Sequence, residues 1–425
     1  FLSLKKKPNK PIILIDTFLF KGSIDDDGNF LDRYYTGHEN YLDEQEKNAL
    51  WFAPTLYGLK TPLDYLRLFF SSRKLKKNFF IKEAWLNGFD YLHCIYSSFF
   101  LTSKIKKIPR FRGLDVSSIV IREAYEDRGS LGVFRAMCNY RFFKKLSQEK
   151  IKISSVVNWF ENHVNDRALN LSIRKYHQNT KIKGYQGFFL INFYATYEPT
   201  KLEHALGTVP HELHVINNYS LKTIEAQCPE LKLKLSPAFR FDHLNTIEDK
   251  RSPNKKTIFI PFPGEGMTSR GVNLVNNCLS SLSVMKEEID VYVKPHPSYP
   301  LDALMKFDKI MTNPIIKYTN ESTASMYAIS DLVIANGSVT CAEALALGIP
   351  VAISGNSPDI TMNPIPNDYM ETLWKVFYNT EELIEFMTFA FNLKFRSSSI
   401  DSLFYPHTKE GAKSLFTDHS SLNNS

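Results

Sequence analysis

Short apolar runs recur along the chain, each stopped by a polar residue or a proline and separated from the next by a helix-length segment. The first, IILIDTF, follows Lys10 and Pro11 and ends its apolar stretch at Asp16. ISSVVNWFEN (Ile153 to Asn162) leads into the helix-like VNDRALNLSIRKYHQ, and KIKGYQGFFL comes next. Runs of this length, apolar throughout rather than alternating, predict strands buried on both faces. Strands alternating with helical stretches predict an open α/β sheet, whose ligands gather outside the carboxyl ends of the strands.

A polar stretch, NTIEDKRSPNKK from Asn245 to Lys256, has no apolar period and reads as a linker. The pattern then restarts with TIFIPF (Thr257 to Phe262), DVYVKP (Asp290 to Pro295), DLVIAN (Asp331 to Asn336) and, after the helix-like TCAEALALG, PVAISG (Pro350 to Gly355). The expected organisation is an N-terminal Rossmann-like domain over 1–250, a second one over 256–395, and a tail, 396–425, that returns to the first. No fixed-period repeat is present.

Composition changes this picture little. At 425 residues, 43% hydrophobic and 23% charged, the chain is an ordinary globular protein too long for one core. No apolar run approaches the roughly 20 residues of a membrane span. The chain opens at Phe1 rather than Met, which suggests a preceding N-terminal part. Five scattered cysteines, without metal-ligand or redox spacing, fit reduced thiols in a cytosolic protein.

The net charge of +7 is unevenly spread. Between Leu63 and Gly113, Arg67, Arg73, Lys74, Lys76, Lys77, Lys82 and further bases are interleaved with Phe69, Phe70, Phe79, Phe80, Trp85, Phe99 and Phe100. Basic and aromatic side chains on a helical segment suit an anionic membrane surface, and a core helix with a solvated basic edge reads equally well. No nucleic-acid motif accompanies the charge, so nucleic acid is not expected as a partner.

The chemistry concentrates in the second half. VYVKPHPSYP (Val291 to Pro300) ends a strand with Lys294 and His296 among prolines, which stop the strand and present the imidazole at its end. In ANGSVTCAEALALGIPVAISG, Asn336, Gly337 and Ser338 close a strand, and the following helix offers free N–H groups with the hydroxyls of Ser338 and Thr340. That combination predicts a phosphate site. Glu343, one turn in, or Glu321, in YTNESTASMYA, could accept from ribose hydroxyls.

Strand-KPHP, a Glu-containing segment, then NGS and an EA-x-A-x-G-x-P-like helix resemble the C-terminal domain of GT-B glycosyltransferases. The order HP, Glu, Ser is similar to bacterial transferases that use CMP-activated sugars, the sialyltransferases and Kdo transferases. The resemblance implies that His296 and Ser338 contact the CMP phosphate and that Glu321 or Glu343 holds the cytidine ribose. In the first half, IDTF, DRYYTG, WFAPTLYG, WFENHVNDRA, GYQG and SPAFRF resemble surface-polysaccharide biosynthesis proteins, including retaining β-Kdo transferases. GT-B implies two Rossmann-like domains facing a central cleft.

Transfer from a CMP-sugar needs no metal, and neither metal nor cofactor is expected; it does need a carboxylate near the anomeric carbon. Glu265, between Gly264 and Gly266, leads the candidates, because those glycines permit close backbone approach and the loop would face His296. The β-Kdo family carries aspartate at the corresponding nucleophile. Glu161, after ISSVVNWF, is the second candidate, its alternative role being a helix-dipole contact. Asp25, Asp26 and Asp27 before Gly28 resemble a sialyltransferase base motif but read more simply as a turn.

The expected function is transfer of a 3-deoxy-ulosonic sugar, Kdo or a sialic-acid relative, from its CMP donor to a lipopolysaccharide or capsule glycan, lipid-linked or at the surface. The expected place is the cytoplasm, peripheral at the inner face of the membrane. The alternatives are a UDP- or GDP-sugar transferase or 2-epimerase, and a non-catalytic GT-B-like scaffold.

Overall fold

The structure is a computed structural model that describes residues 7–59, 61–100, 108, 110, 113–192, 194–285, 288–296, 301–356, 360–367, 369–394, 396 and 400–417, apart from the side chains of 62, 265 and 303. Two compact units result. The first comprises the chain up to Gly187, Thr196–Phe239 and the segment from His407; the second comprises Phe188–Ala195 and Arg240–Pro406.

The first unit is built on six parallel strands: β1 (Ile12–Phe20), β2 (Leu50–Tyr57), β3 (Ile153–Trp159), β4 (Lys181–Gln186), β5 (Glu212–Val215) and β6 (Lys232–Leu235). Their order is β2-β1-β3-β4-β5-β6, so the winding reverses between β1 and β3. Asp16 does not end β1. It sits opposite Asn158 of β3, after which β1 continues to Phe20 beside β2 alone. The strand tolerates this carboxylate because Lys82 lies 3.0 Å away, both groups being buried. Pro54 is accommodated in β2, an edge strand, where a missing ladder donor costs least.

The helix Lys409–Phe416 packs in this unit, with Phe416 against the rings of Tyr35, His38 and Phe239. Its last carbonyls are gathered by one buried cation: Lys183 Nζ donates to Ser414 O at 2.7 Å, Leu415 O at 3.1 Å and Thr417 O at 2.7 Å. A cation at a helix C-terminus meets both the orphan carbonyls and the negative end of the dipole.

The basic-aromatic stretch is not one helix. It spans Pro62–Ser72, the short Lys82–Trp85 and Gly88–Phe100, while Lys104, Lys106, Lys107 and Arg112 lie outside the described residues. Phe79, Phe80 and Trp85 are core. Several cations bind within the unit: Lys74 reaches Asp26 O, Lys76 reaches Asn29 Oδ1, and Lys77 pairs with Glu39. What faces outward is largely apolar, including Leu66, Phe70, Phe89, Leu92, Ile95 and Tyr96. Among the described residues no helix is long and apolar enough to cross a membrane.

The second unit holds β7 (Lys256–Pro261), β8 (Ile289–Lys294), β9 (Ile316–Tyr318), β10 (Leu332–Ala335), β11 (Val351–Ser354) and β12 (Trp374–Phe377), parallel in the order β12-β11-β10-β7-β8-β9. Ile258, Ile260, Val291, Val293, Leu332 and Ile334 form a core with Leu274 and Val275 of the helix Thr268–Leu282 and Leu383 and Met387 of Thr380–Phe391. The winding reverses between β7 and β10, where a doubly wound sheet opens its crevice. The stretch read as a linker is anchored instead. Lys250 N donates to Ala328 O, and Arg251 pairs with Asp249 at 2.8 Å and lies 3.6 Å from Asp331, so these two residues tie the stretch to the unit while Glu248 and the Lys250 side chain stay solvated.

Candidate functional site

In the second unit the residues singled out above follow the carboxyl ends of β7, β8, β9 and β10, on both sides of the switch point. Pro261 is in register with Lys294, and Phe262 N donates to Lys294 O, so the Gly264–Gly266 loop and the histidine segment leave adjacent strands. The loop turns into the helix Thr268–Leu282 through a 3-10 turn, Glu265–Met267; the Glu265 side chain lies outside what is described. A Cβ on Gly266 would meet no heavy atom within 4 Å, so open space borders this backbone.

His296 stands exposed two residues beyond β8, and partial burial lowers its pKa below the ordinary 6.5. At neutral pH it therefore offers a neutral N–H donor rather than a cation. Lys294 donates to the backbone carbonyl of Glu321, which ties β8 to the loop after β9. The carboxylate of Glu321 is on an exposed residue.

The β10 end is more elaborate. Gly337 has φ +64°, and a Cβ there would lie 1.8 Å from Met362 O; only glycine lets these two backbones meet. Ser338 then caps the helix Val339–Ala346. Its Oγ accepts from Thr340 N and lies 2.7 Å from Thr340 Oγ1. One hydroxyl proton is consumed between the two oxygens, and the other is available to a ligand. The side-chain nitrogen of Asn336 is buried without an acceptor among the described residues. The hydroxyls and the helix N-terminus are donors of the kind a phosphate oxygen accepts from.

Glu343 is buried, and its Oε2 accepts from Tyr327 Oη at 2.8 Å. Burial raises its pKa, against the opposing hydrogen bond from Tyr327 and the fields of His243 and Arg240. The helix ends in a Schellman arrangement: Gly348, φ +71°, donates to Leu345 O and Ile349 to Ala344 O, with Pro350 after it. Its buried alanines bring this anchored carboxylate close to the sheet.

In the first unit Glu161 follows β3 at the β1/β3 switch point. One oxygen accepts from Trp159 Nε1 at 2.8 Å and the other lies 3.2 Å from His163 Nε2. The carboxylate favours the charged imidazole, and His163 is raised from 6.5. Glu161 thus orients a proton-accepting histidine. Asp166 accepts from the backbone N–H groups of both Glu161 and His163, and burial raises it to about 7. Asp25 accepts from Asn29 N and Nδ2, the turn reading of that aspartate run. His163, Asp166 and Tyr327 were not singled out in the sequence, and Lys82 was read only as one base of the basic-aromatic stretch. WFENHVNDRA contains the first two, at the strand-to-helix spacing where an orienting carboxylate and a cap would sit.

No family model matches the sequence, and neither does any curated protein. Solved structures do. A Listeria monocytogenes protein assigned as a UDP-N-acetylglucosamine 2-epimerase is 11% identical with TM-score 0.55, covering 95% of this chain and 94% of its own. The UDP-GlcNAc 2-epimerase of Neisseria meningitidis bound to UDP-GlcNAc is 11% identical with TM-score 0.53, over 95% and 97%. S. aureus MnaA with UDP is 12% identical with TM-score 0.51, over 95% and 94%. At such identities the likeness establishes the fold, two Rossmann-like α/β domains of the GT-B type.

Proposed function

We propose that this chain is a glycosyltransferase whose nucleotide-activated donor binds at the β7/β10 switch point of the second unit. The observation that carries the reading is the β10 turn, where Asn336 Nδ2, the Ser338 and Thr340 hydroxyls and a helix N-terminus supply donors beside the Tyr327-anchored Glu343. On this reading the donors hold the phosphate of the leaving nucleotide and His296 adds a neutral N–H. Glu343 or the exposed Glu321 accepts from the ribose, and the Glu265 loop borders the transferred sugar.

The order KPHP, Glu, NGS supports a CMP-activated 3-deoxy-ulosonic sugar as donor and a lipopolysaccharide or capsule glycan as acceptor. The exposed apolar residues of Pro62–Ser72, Gly88–Phe100 and Ser117–Glu126, Phe89 at 82% among them, support a peripheral site at the inner face of the cytoplasmic membrane. A second reading, a UDP-sugar 2-epimerase or transferase, is favoured by the fold shared with the UDP-bound structures above.

Calorimetric titration with CMP, UDP and GDP, on wild type, Ser338→Ala and His296→Ala, separates these. Selective CMP binding that weakens about tenfold in Ser338→Ala, as loss of one charge-assisted hydrogen bond predicts, supports the ulosonic-sugar donor. Preference for UDP moves the assignment to the second reading. Binding of none of the three overturns the nucleotide site.

A further inference from the structure

The helices Gly88–Phe100 and Leu131–Gln148 pack against each other in the first unit. Their register is antiparallel: Asp90 pairs with Arg141, the rings of Tyr91 and Phe134 stack with centroids 6.5 Å apart, and Gly129 N, just before the second helix, donates to Ser98 O at 3.0 Å. One turn forward from Asp90 on the first helix corresponds to one turn back from Arg141 on the second, which sets Cys94 opposite Cys138. The thiols meet there, hydrogen-bonded to one another. Sequence spacing did not disclose the pair, because it is made across two helices.

The two sulfurs differ in access. Cys94 is buried on the inner side of its helix with Asp90 and Ser98, whereas Cys138 is half-buried and lines a cavity of about 330 Å³ beside Tyr91 and Phe134. That space admits a hydroperoxide. The S–H of Cys138 donates to the Cys94 sulfur, which holds Cys94 below the ordinary 9.0, with the field of Arg141 acting in the same sense and burial against it. The pair therefore loses its first proton as a unit, and the buried sulfur is the readier thiolate.

We propose that Cys94 and Cys138 form a peroxide-responsive dithiol, with Cys138 the sulfur oxidised from the cavity and Cys94 the one that closes the disulfide. In the first step the Cys138 sulfur attacks an oxygen of hydrogen peroxide, the O–O bond breaks, and water leaves with the thiol proton, giving a sulfenic acid. In the second the Cys94 thiolate attacks that sulfur; the S–S bond forms, the S–O bond breaks, and the departing hydroxide takes up the Cys94 proton as water. Two thiols and one peroxide thus give a disulfide and two waters, the sulfurs losing the two electrons that the O–O bond gains. Facing side chains on neighbouring helices meet the geometric demand that the Cβ vectors converge. The bond would fasten the inner side of a helix whose outer side carries Phe89, Leu92 and Tyr96. It is independent of the nucleotide reading of the second unit.

The test treats the native full chain with hydrogen peroxide, blocks the remaining thiols and reads cross-links by non-reducing peptide mapping. The expected product is a Cys94–Cys138 disulfide, reversed by dithiothreitol and formed at least about tenfold faster than any modification of the buried Cys228, Cys278 and Cys341. In Cys94→Ser the reaction stops at a Cys138 sulfenic acid that dimedone traps, and in Cys138→Ser neither product forms. Melting temperatures identify which variants fold, and the wild-type map decides if neither does. No Cys94–Cys138 link in the native protein, a link no faster than modification of the other cysteines, or passage of Cys138 to sulfinic acid with Cys94 still free overturns the proposal. Dimedone trapping at Cys94 in folded Cys138→Ser does the same.

Discussion

Replacing Gly337 by alanine tests the geometry of the proposed phosphate site through a backbone contact rather than a lost side chain. The residue has φ +64°, and the added Cβ would come within 1.8 Å of Met362 O and 2.7 Å of its carbonyl carbon, where ordinary contact begins at 3.4 Å. The obstacle is main chain, which cannot rotate aside. Left-handed backbone on a residue with a Cβ costs about 1–2 kcal/mol, and overpacking of this kind typically 1–3. A total of roughly 2–5 kcal/mol, at about 2–4 °C per kcal/mol for a unit of this size, lowers the melting transition by about 4–20 °C. The helix N-terminus must move with Gly337, so nucleotide affinity falls as well. Gly266→Ala is the control: its Cβ meets nothing within 4 Å and its φ is ordinary, so stability stays within about 0.5 kcal/mol while binding to the adjoining space weakens. Scanning calorimetry and nucleotide titration on both variants read the two effects. A Gly337→Ala protein that melts within 2 °C of wild type, on the order of the scatter of an ordinary surface change, refutes the argument.

Lys183→Met removes the donor shared by the carbonyls of Ser414 and Leu415 and of Thr417 just past the helix Lys409–Phe416; we expect a loss of about 1–3 kcal/mol in urea unfolding and faster amide exchange in that helix, and unchanged exchange there would contradict the role. Asp166, raised to about 7 by burial, contributes stability that is complete below the unfolded carboxylate range and is lost as pH rises through about 7. Asp166→Asn, which keeps the acceptor oxygen, should flatten the fall in urea midpoint between about pH 4 and pH 7; an unaltered slope rejects the assignment. Tyr327→Phe removes the hydroxyl that holds Glu343 and is expected to cost about 1 kcal/mol and to reduce nucleotide affinity several-fold, both measurable by the same calorimetry.

Strand positions were legible because a buried parallel strand needs an uninterrupted apolar run: β10 and β11 fall within the runs that predict them, and β7 and β8 each begin one residue earlier. The order of elements around KPHP and NGS likewise carried the switch-point geometry, since strand ends and helix starts are local. What escaped was compensation at long range. Asp16 looked like a strand terminus because the ammonium that permits its burial, Lys82, is distant in the sequence. The polar stretch 245–256 looked unattached for the same reason, Arg251 finding Asp331 in another element. Conversely, the helix Gly88–Phe100 reads as core by composition, yet Phe89, Leu92 and Tyr96 point outward while Cys94 and Asp90 point in, the latter held by Arg141 and Lys145. Glu161 was correctly placed at a strand end, but its engagement with Trp159 and His163 depends on side-chain directions that spacing alone does not give.

The clasp between Lys183 and the helix Lys409–Phe416 bears on the order of events during synthesis. The first unit draws on residues from both sides of the second, whose main segment, Arg240–Pro406, is nearly continuous. On the ribosome, at roughly 5–20 residues per second, the second unit therefore has its strands β7 to β12 available while the first still lacks its last helix. Until Phe416 emerges, Tyr35, His38 and Phe239 lack its ring and Lys183 lacks the carbonyls of Ser414, Leu415 and Thr417. Of the two units the one that begins earlier in the chain is thus the later to be completed, and a chain arrested near Pro406 would present one finished unit and one open one to the chaperones of the cell.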